Sequence, residues 1–305
     1  MKILVSGAGG LVGSSLVPSL SAAGHRVVRL ARTGAPRQDA AILWDPARGG
    51  LDAAVLDGFD AVIHLAGESI AAGRWSAARK QRIRDSRVNG TTLLAEGIAR
   101  APRPPRVLLC ASAVGFYGDR GAEVLREDSR PGSDFLSEVC RAWEAASEPA
   151  VRKGVRVALH RFGVILSPAG GALKKMLPPF RLGLGGRLGD GRQFLPWIAI
   201  DDVLGILERA LTDESLKGPI NCVAPQAVTN ADFTRTLARV LERPAVFPMP
   251  AMAARLLFGE MAEALLLASQ RVEPARLMAS GYRFRYAELE PALRHLLGRP
   301  APLAA

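Results

Sequence analysis

Hydrophobic residues follow two different rhythms along the first half of this 305-residue chain. Short runs that are apolar almost throughout, Lys2–Ser6, Arg26–Ala31, Ala61–Ala66, Arg106–Ser112 and Val155–Arg161, alternate with longer stretches of helical periodicity. A run without polar alternation is buried on both faces, as a parallel strand covered by helices is. The pattern predicts an α/β fold with a Rossmann-type doubly wound parallel sheet. In Ala101-Pro-Arg-Pro-Pro-Arg106 the prolines sit between a helical stretch and a strand, so they are expected to stop the helix, not to form a polyproline ligand.

After residue 163 the rhythm changes. Arg181 to Gly191 holds five glycines in eleven residues, and the segments beyond read as helices with few strands. We expect a sheet domain over 1–165, completed by segments from 190–225, and a smaller, mostly helical substrate lobe over 166–305. The lobe is expected over the carboxyl ends of the strands, where ligands bind in open α/β sheets.

Composition narrows the chemistry. Forty Lys and Arg stand against 29 Asp and Glu, a net charge of +11, while 49% of residues are hydrophobic, the balance of a globular protein with a basic surface. The most basic run, Arg74 to Arg87, lacks any nucleic-acid motif and reads as a solvated helix face, so no nucleic-acid partner is expected. Cys110, Cys140 and Cys222 make no CxxC pair, and the four histidines show no HxxxH, so neither disulfides nor a metal site is predicted. Ala251 to Ala268 is apolar but broken by Arg255, Glu260 and Glu263, so no membrane partner is expected. The first residues imitate a secretory signal, yet Gly7, Gly9, Gly10 and Gly13 break the would-be helix; a cytoplasmic protein, monomeric or homodimeric, is expected.

Directly after the first strand comes Ser6-Gly7-Ala-Gly-Gly10-Leu11-Val12-Gly13, spaced GxxGxxG and opening a helix. Glycines there permit a tight turn, close backbone approach to a pyrophosphate and tight helix–strand packing, and the helix amino end offers N–H donors. At the end of the second strand stand Arg32 and Thr33 where an acid would hold the ribose 2′-hydroxyl of NAD. NADP(H) is expected in preference to NAD(H).

Gly7, Gly10 and Gly13, then His64-Leu65-Ala66-Gly67, then Ser112-Ala-Val-Gly-Phe-Tyr117-Gly118, together resemble the short-chain dehydrogenase/reductase superfamily in its extended epimerase/dehydratase branch. Glu68, Arg74-Trp75, Ser86-Arg87, Trp143-Glu144 and Trp197 narrow the likeness to an atypical subgroup of epimerase family proteins with a carboxyl-terminal domain of unknown function. The resemblance implies a cofactor site at Gly7, Gly10, Leu11, Val12, Gly13, Arg32, Thr33, Leu65, Ala66, Gly67, Glu68, Ser112 and Arg161. Oxidoreductase or epimerase chemistry on a small, anionic substrate is the function expected here.

The family's YxxxK pair is missing. The three tyrosines are followed at that spacing by Gly121, Tyr286 and Glu290, and the matching helix carries Leu136 and Cys140 in the two places. Unperturbed tyrosine ionises near pH 10, so a useful acid/base needs the neighbouring ammonium that this chain lacks. Ser112, Tyr117 and Glu68 are the replacement candidates, with Gln193 and Trp197 expected to line the substrate pocket. Leu195-Pro196-Trp197 stands where sugar-nucleotide epimerases often carry an arginine for the diphosphate, leaving Arg161, Arg181, Arg187 or Arg192 to supply charge. The missing pair also fits a catalytically silent NADP(H) sensor.

Overall fold

The computed structural model describes residues 1–33 and 41–300. Seven strands form the main sheet: β1 (Lys2–Ser6), β2 (Arg26–Arg32), β3 (Ala41–Trp44), β4 (Ala61–His64), β5 (Val107–Ala113), β6 (Arg156–Phe162) and β7 (Gly218–Cys222). They lie in the order β7-β6-β5-β4-β1-β2-β3 with every pairing parallel. The order reverses beside β1, which places a crevice at the carboxyl ends of β1 and β4. The five runs of the sequence pattern all become strands, with ends shifted by a residue or two.

Two helical layers cover the sheet. On one face Ile3, Val5, Ile63 and Leu109 pack against α1 (Leu11–Ala22) and the helix Ile200–Thr212. On the other, Leu4, Val62 and Leu108 meet α2 (Ala77–Arg100) and the short helix Glu148–Arg152. The helix α2 starts where Ser76 accepts the Arg79 N–H, and ends at Ala101, one residue before the proline run. A third helix, α3 (Phe135–Ala145), begins at Asp134, whose carboxylate accepts the Ser137 N–H, and lies beside α2 and the turn after β5.

The carboxyl-terminal lobe has its own core. Helices α4 (Gly171–Arg181), α5 (Asn230–Leu241) and α6 (Leu289–Leu296) enclose Leu173, Leu177, Phe233, Leu237 and Leu293. Among the described residues no helix is long and apolar enough to cross a membrane.

Candidate functional site

The glycine loop is shaped by two contacts that a side chain would forbid. Gly7 has φ +71°, and a Cβ there would lie 2.7 Å from the Leu65–Ala66 backbone. At Gly13 a Cβ would come within 2.3 Å of the Gly7 carbonyl, so α1 can close on the loop only without one. The turn is held by the Gly10 N–H donating to the Gly7 carbonyl at 3.0 Å. The amino end of α1 has no side-chain cap and no acid in its first turn, leaving its N–H groups and the positive end of the helix dipole open to an anion. Leu11 reaches across to Gly170 and Gly171 at the start of α4, and Val12 packs on the sheet core. Arg32 and Thr33 are exposed at the end of β2, where Thr33 N–H bonds to the Trp44 carbonyl.

Across the crevice, the segment after β4 is tied down from both sides. Leu65 N–H donates to the Ser6 carbonyl, joining the segment to β1. Glu68 N–H donates to Ser86 Oγ and its carbonyl accepts from Arg87, while Arg79 donates to the Ser69 carbonyl at 2.7 Å. Gly67 leaves room for the Arg87 guanidinium, 3.4 Å from where its Cβ would stand. The Glu68 carboxylate is left partly exposed, 3.9 Å from Arg79. From the lobe, Lys175 bonds to the Ala71 carbonyl and Glu260 pairs with Lys80 at 2.6 Å, so the lobe closes over the outer end of this segment.

At the carboxyl end of β5 the candidate hydroxyls point inward. Ser112 donates to Glu144 at 2.7 Å, and Arg161 forms two 2.8 Å bonds to the same carboxylate. Tyr117 donates to Asn221 and accepts from Arg161, whose guanidinium also reaches the Glu127 carbonyl and lies 3.5 Å from the Phe116 ring centroid. Burial pushes the Tyr117 hydroxyl up to about 12 even though Arg161 works the other way. Neither Tyr117 nor Ser112 is free for acid–base work in the crevice. Arg161 likewise directs its donors to Glu144, Tyr117 and the Glu127 carbonyl, so the side chains of Arg161 and Ser112, both expected at the cofactor, are engaged by the protein itself.

The positions expected for the tyrosine and lysine are apolar in space as well as in sequence. Leu136 and Cys140 are buried on the face of α3 turned toward Gly115, whose absent Cβ would sit 3.3 Å from Leu136 Cβ and 3.9 Å from Cys140 Sγ. Burial raises all three thiols, Cys110 and Cys140 to about 12. A thiolate is the reactive form, so native protein is expected to leave Cys110, Cys140 and Cys222 unlabelled by a maleimide near neutral pH, with all three labelled after denaturation. Rapid labelling of Cys140 in the folded protein would contradict this.

The two expected substrate residues are also internal. Gln193 donates to the Leu188 and Leu266 carbonyls, tying loop to lobe, and Trp197 is 1% exposed in the lobe core with its indole N–H on the Gln226 carbonyl. Arg181, Arg187 and Arg192 are exposed or at the exposed rim of the lobe. Among the described residues no group of three His, Cys, Asp or Glu is placed to hold a metal ion. The crevice therefore offers a glycine loop with uncapped helix N–H groups, two polar groups at the end of β2 and the partly exposed Glu68 carboxylate.

Comparison with known proteins fits this geometry. Residues 3–222 match the NAD dependent epimerase/dehydratase family, and residues 249–296 match a domain of unknown function, DUF1731. An epimerase family protein of Mycobacterium bovis is 42% identical, with 98% of each chain covered. The human epimerase family protein SDR39U1, solved with NADPH, is 36% identical and superposes with a TM-score of 0.88 over 98% of this chain and 99% of that one. A UDP-glucose 4-epimerase of Thermotoga maritima is similar in fold, with a TM-score of 0.76 over 98% of each chain at 18% identity.

Proposed function

Because the chain belongs to the NAD-dependent epimerase/dehydratase family, and its glycine loop keeps the family's cradle, we propose that it binds NADP(H) at the carboxyl ends of β1, β2 and β4. The observation that carries this reading is the bare amino end of α1 packed through Gly7 and Gly13 against Leu65–Ala66. Leu11 to Gly13 would meet the pyrophosphate with backbone N–H groups, and Arg32 with Thr33 would meet a 2′-phosphate. A human relative of 36% identity solved with NADPH supports the phosphorylated cofactor.

The bound dinucleotide would supply a hydride donor or acceptor. The chain's own task is to bind and orient a small anionic substrate beside it and to manage one proton. Of the three candidate groups, only Glu68 keeps a partly exposed polar end, so Glu68 is assigned the acid/base role, with Arg79 beside it. The substitution of Leu136 and Cys140 for the usual pair supports a second reading, a silent sensor whose cofactor sets a protein surface.

Titration with NADPH and NADH separates these outcomes. Arg32→Ala should weaken NADPH roughly tenfold or more while leaving NADH unchanged, since only the 2′-phosphate contact is lost. Equal losses for both cofactors would remove Arg32 from that role. Turnover of any carbonyl or sugar substrate that Glu68→Gln abolishes without changing NADPH affinity supports the enzyme; tight NADPH binding with no turnover across such a panel supports the sensor.

A further inference from the structure

The lobe carries exposed apolar side chains that are not part of its own core. Residues 185–189 and 247–249 run side by side as a ribbon: Phe247 N–H donates to the Gly185 carbonyl, Met249 N–H to that of Arg187, and Gly189 N–H to that of Met249. The two segments approach so closely that a Cβ on Gly186 would overlap the Phe247 carbonyl. This is a built platform. The helix α7 (Ala251–Phe258) grows directly out of it, pinned near its start by Ala251 against Gly189.

Leu182, Leu184, Val246 and Phe247 on or beside the ribbon, and Met252 and Leu256 one turn apart on α7, are each more than half exposed. Isolated surface leucines need no explanation, but several on one connected piece of chain mark an interaction surface. Charge selects the partner. Over residues 181–192 and 242–249 the charged groups are Arg181, Arg187, Arg192 and Arg243 against Asp190 and Glu242, an excess of positive charge. On the helix, Arg255 is matched by Glu263.

We propose that this platform docks peripherally on an anionic phospholipid surface, its apolar side chains entering the headgroup boundary and its arginines meeting lipid phosphates. Protruding apolar groups beside arginines are the composition of interfacial binding. A second copy of the chain fits less well, because a two-fold contact would bring two arginine-rich rims together. This surface is assembled from two separate segments and leaves no continuous apolar run in the sequence, so it runs against the expectation of no membrane partner without any spanning segment. The proposal is independent of the cofactor reading.

Full-length protein would be sedimented with phosphatidylcholine vesicles and with vesicles also containing phosphatidylglycerol. We expect binding to the anionic vesicles only, falling as salt is raised. Arg181→Gln and Arg187→Gln should each weaken partitioning about fivefold. The double change Met252→Glu with Leu256→Glu should abolish it while NADPH titration and circular dichroism stay unchanged. No binding to anionic vesicles overturns the proposal. So does a dimer in ultracentrifugation that the Met252/Leu256 variant dissociates without any vesicle binding, which would assign the platform to self-association, and so does binding to an acidic protein partner in the absence of vesicle binding.

Discussion

Glu144→Ala is expected to cost about 3–5 kcal/mol of folding stability, among the largest effects a single substitution in this chain can have. Its carboxylate takes two bonds from Arg161 and one from Ser112, and the side chains of the ion pair are 3% and 11% exposed for Arg161 and Glu144. Removing it leaves a buried guanidinium without its counter-charge, pressed against Phe116 and Tyr117. Burial works against the charge of Arg161 and the carboxylate more than offsets it, so Arg161 stays cationic while Glu144 is present. The energy at stake is the penalty of the orphaned charge, not the worth of the pair. Accordingly, Glu144→Leu combined with Arg161→Met should cost much less than the sum of the single changes, a coupling that urea melts of the four proteins measure. Additive losses would mean that the two groups do not act as a unit.

That network also shows where the sequence was legible and where it was not. The glycine loop could be read because strand, turn and helix are adjacent in the chain and Gly10 and Gly13 answer to Gly7 a few residues away, although Gly7 itself is fixed by the distant Leu65–Ala66 backbone. The edge strand β3 escaped because it is four residues long and half-exposed, with Leu43 turned out and Trp44 turned in, so it never forms a continuous apolar run. Ser112 and Arg161, expected at the cofactor, and Tyr117, expected as a replacement acid/base, lie together at the ends of β5 and β6, with their polar atoms turned into the protein. What turned them inward is Glu144 on α3 with Asn221 on β7, partners 32 and 104 residues distant from Ser112 and Tyr117. One signal was present: Arg161 is a charge at the end of a strand otherwise buried, and such a residue requires a counter-charge. Gln193 and Trp197 show a different ambiguity: a polar residue and an indole beside a glycine loop suit a pocket and a core equally well in sequence, and the folded lobe buries both.

Stability should fall steeply as pH is lowered from about 6.5, before most carboxylates titrate. His64 on β4 and His160 on β6 are fully buried within the sheet, and burial depresses both to about 4. His64 bonds through Nδ1 to Ser6 Oγ at 2.6 Å, and the Nε2 atoms of both rings are buried without a partner, so neither can take a second proton without desolvating a charge. The unfolded chain protonates an imidazole near 6.5 while the folded chain resists until about 4, so between those values the unfolded state binds more protons. The stabilisation is complete above 6.5 and lost progressively toward 4, at about 1.4 kcal/mol per pH unit for each histidine, or about 3 kcal/mol each across the window. Asp202, raised by burial, works in the opposite sense at the acid end of that range. Urea melts between pH 7 and 5 measure the slope. His160→Leu should remove about half of it, because only His64 is then left to resist protonation in the folded state. A stability that stays flat from pH 7 to 5 would show that the two rings are not held neutral in the folded protein, and with that the buried Ser6–His64 contact at the root of the glycine loop would need a charged partner that the sheet does not provide.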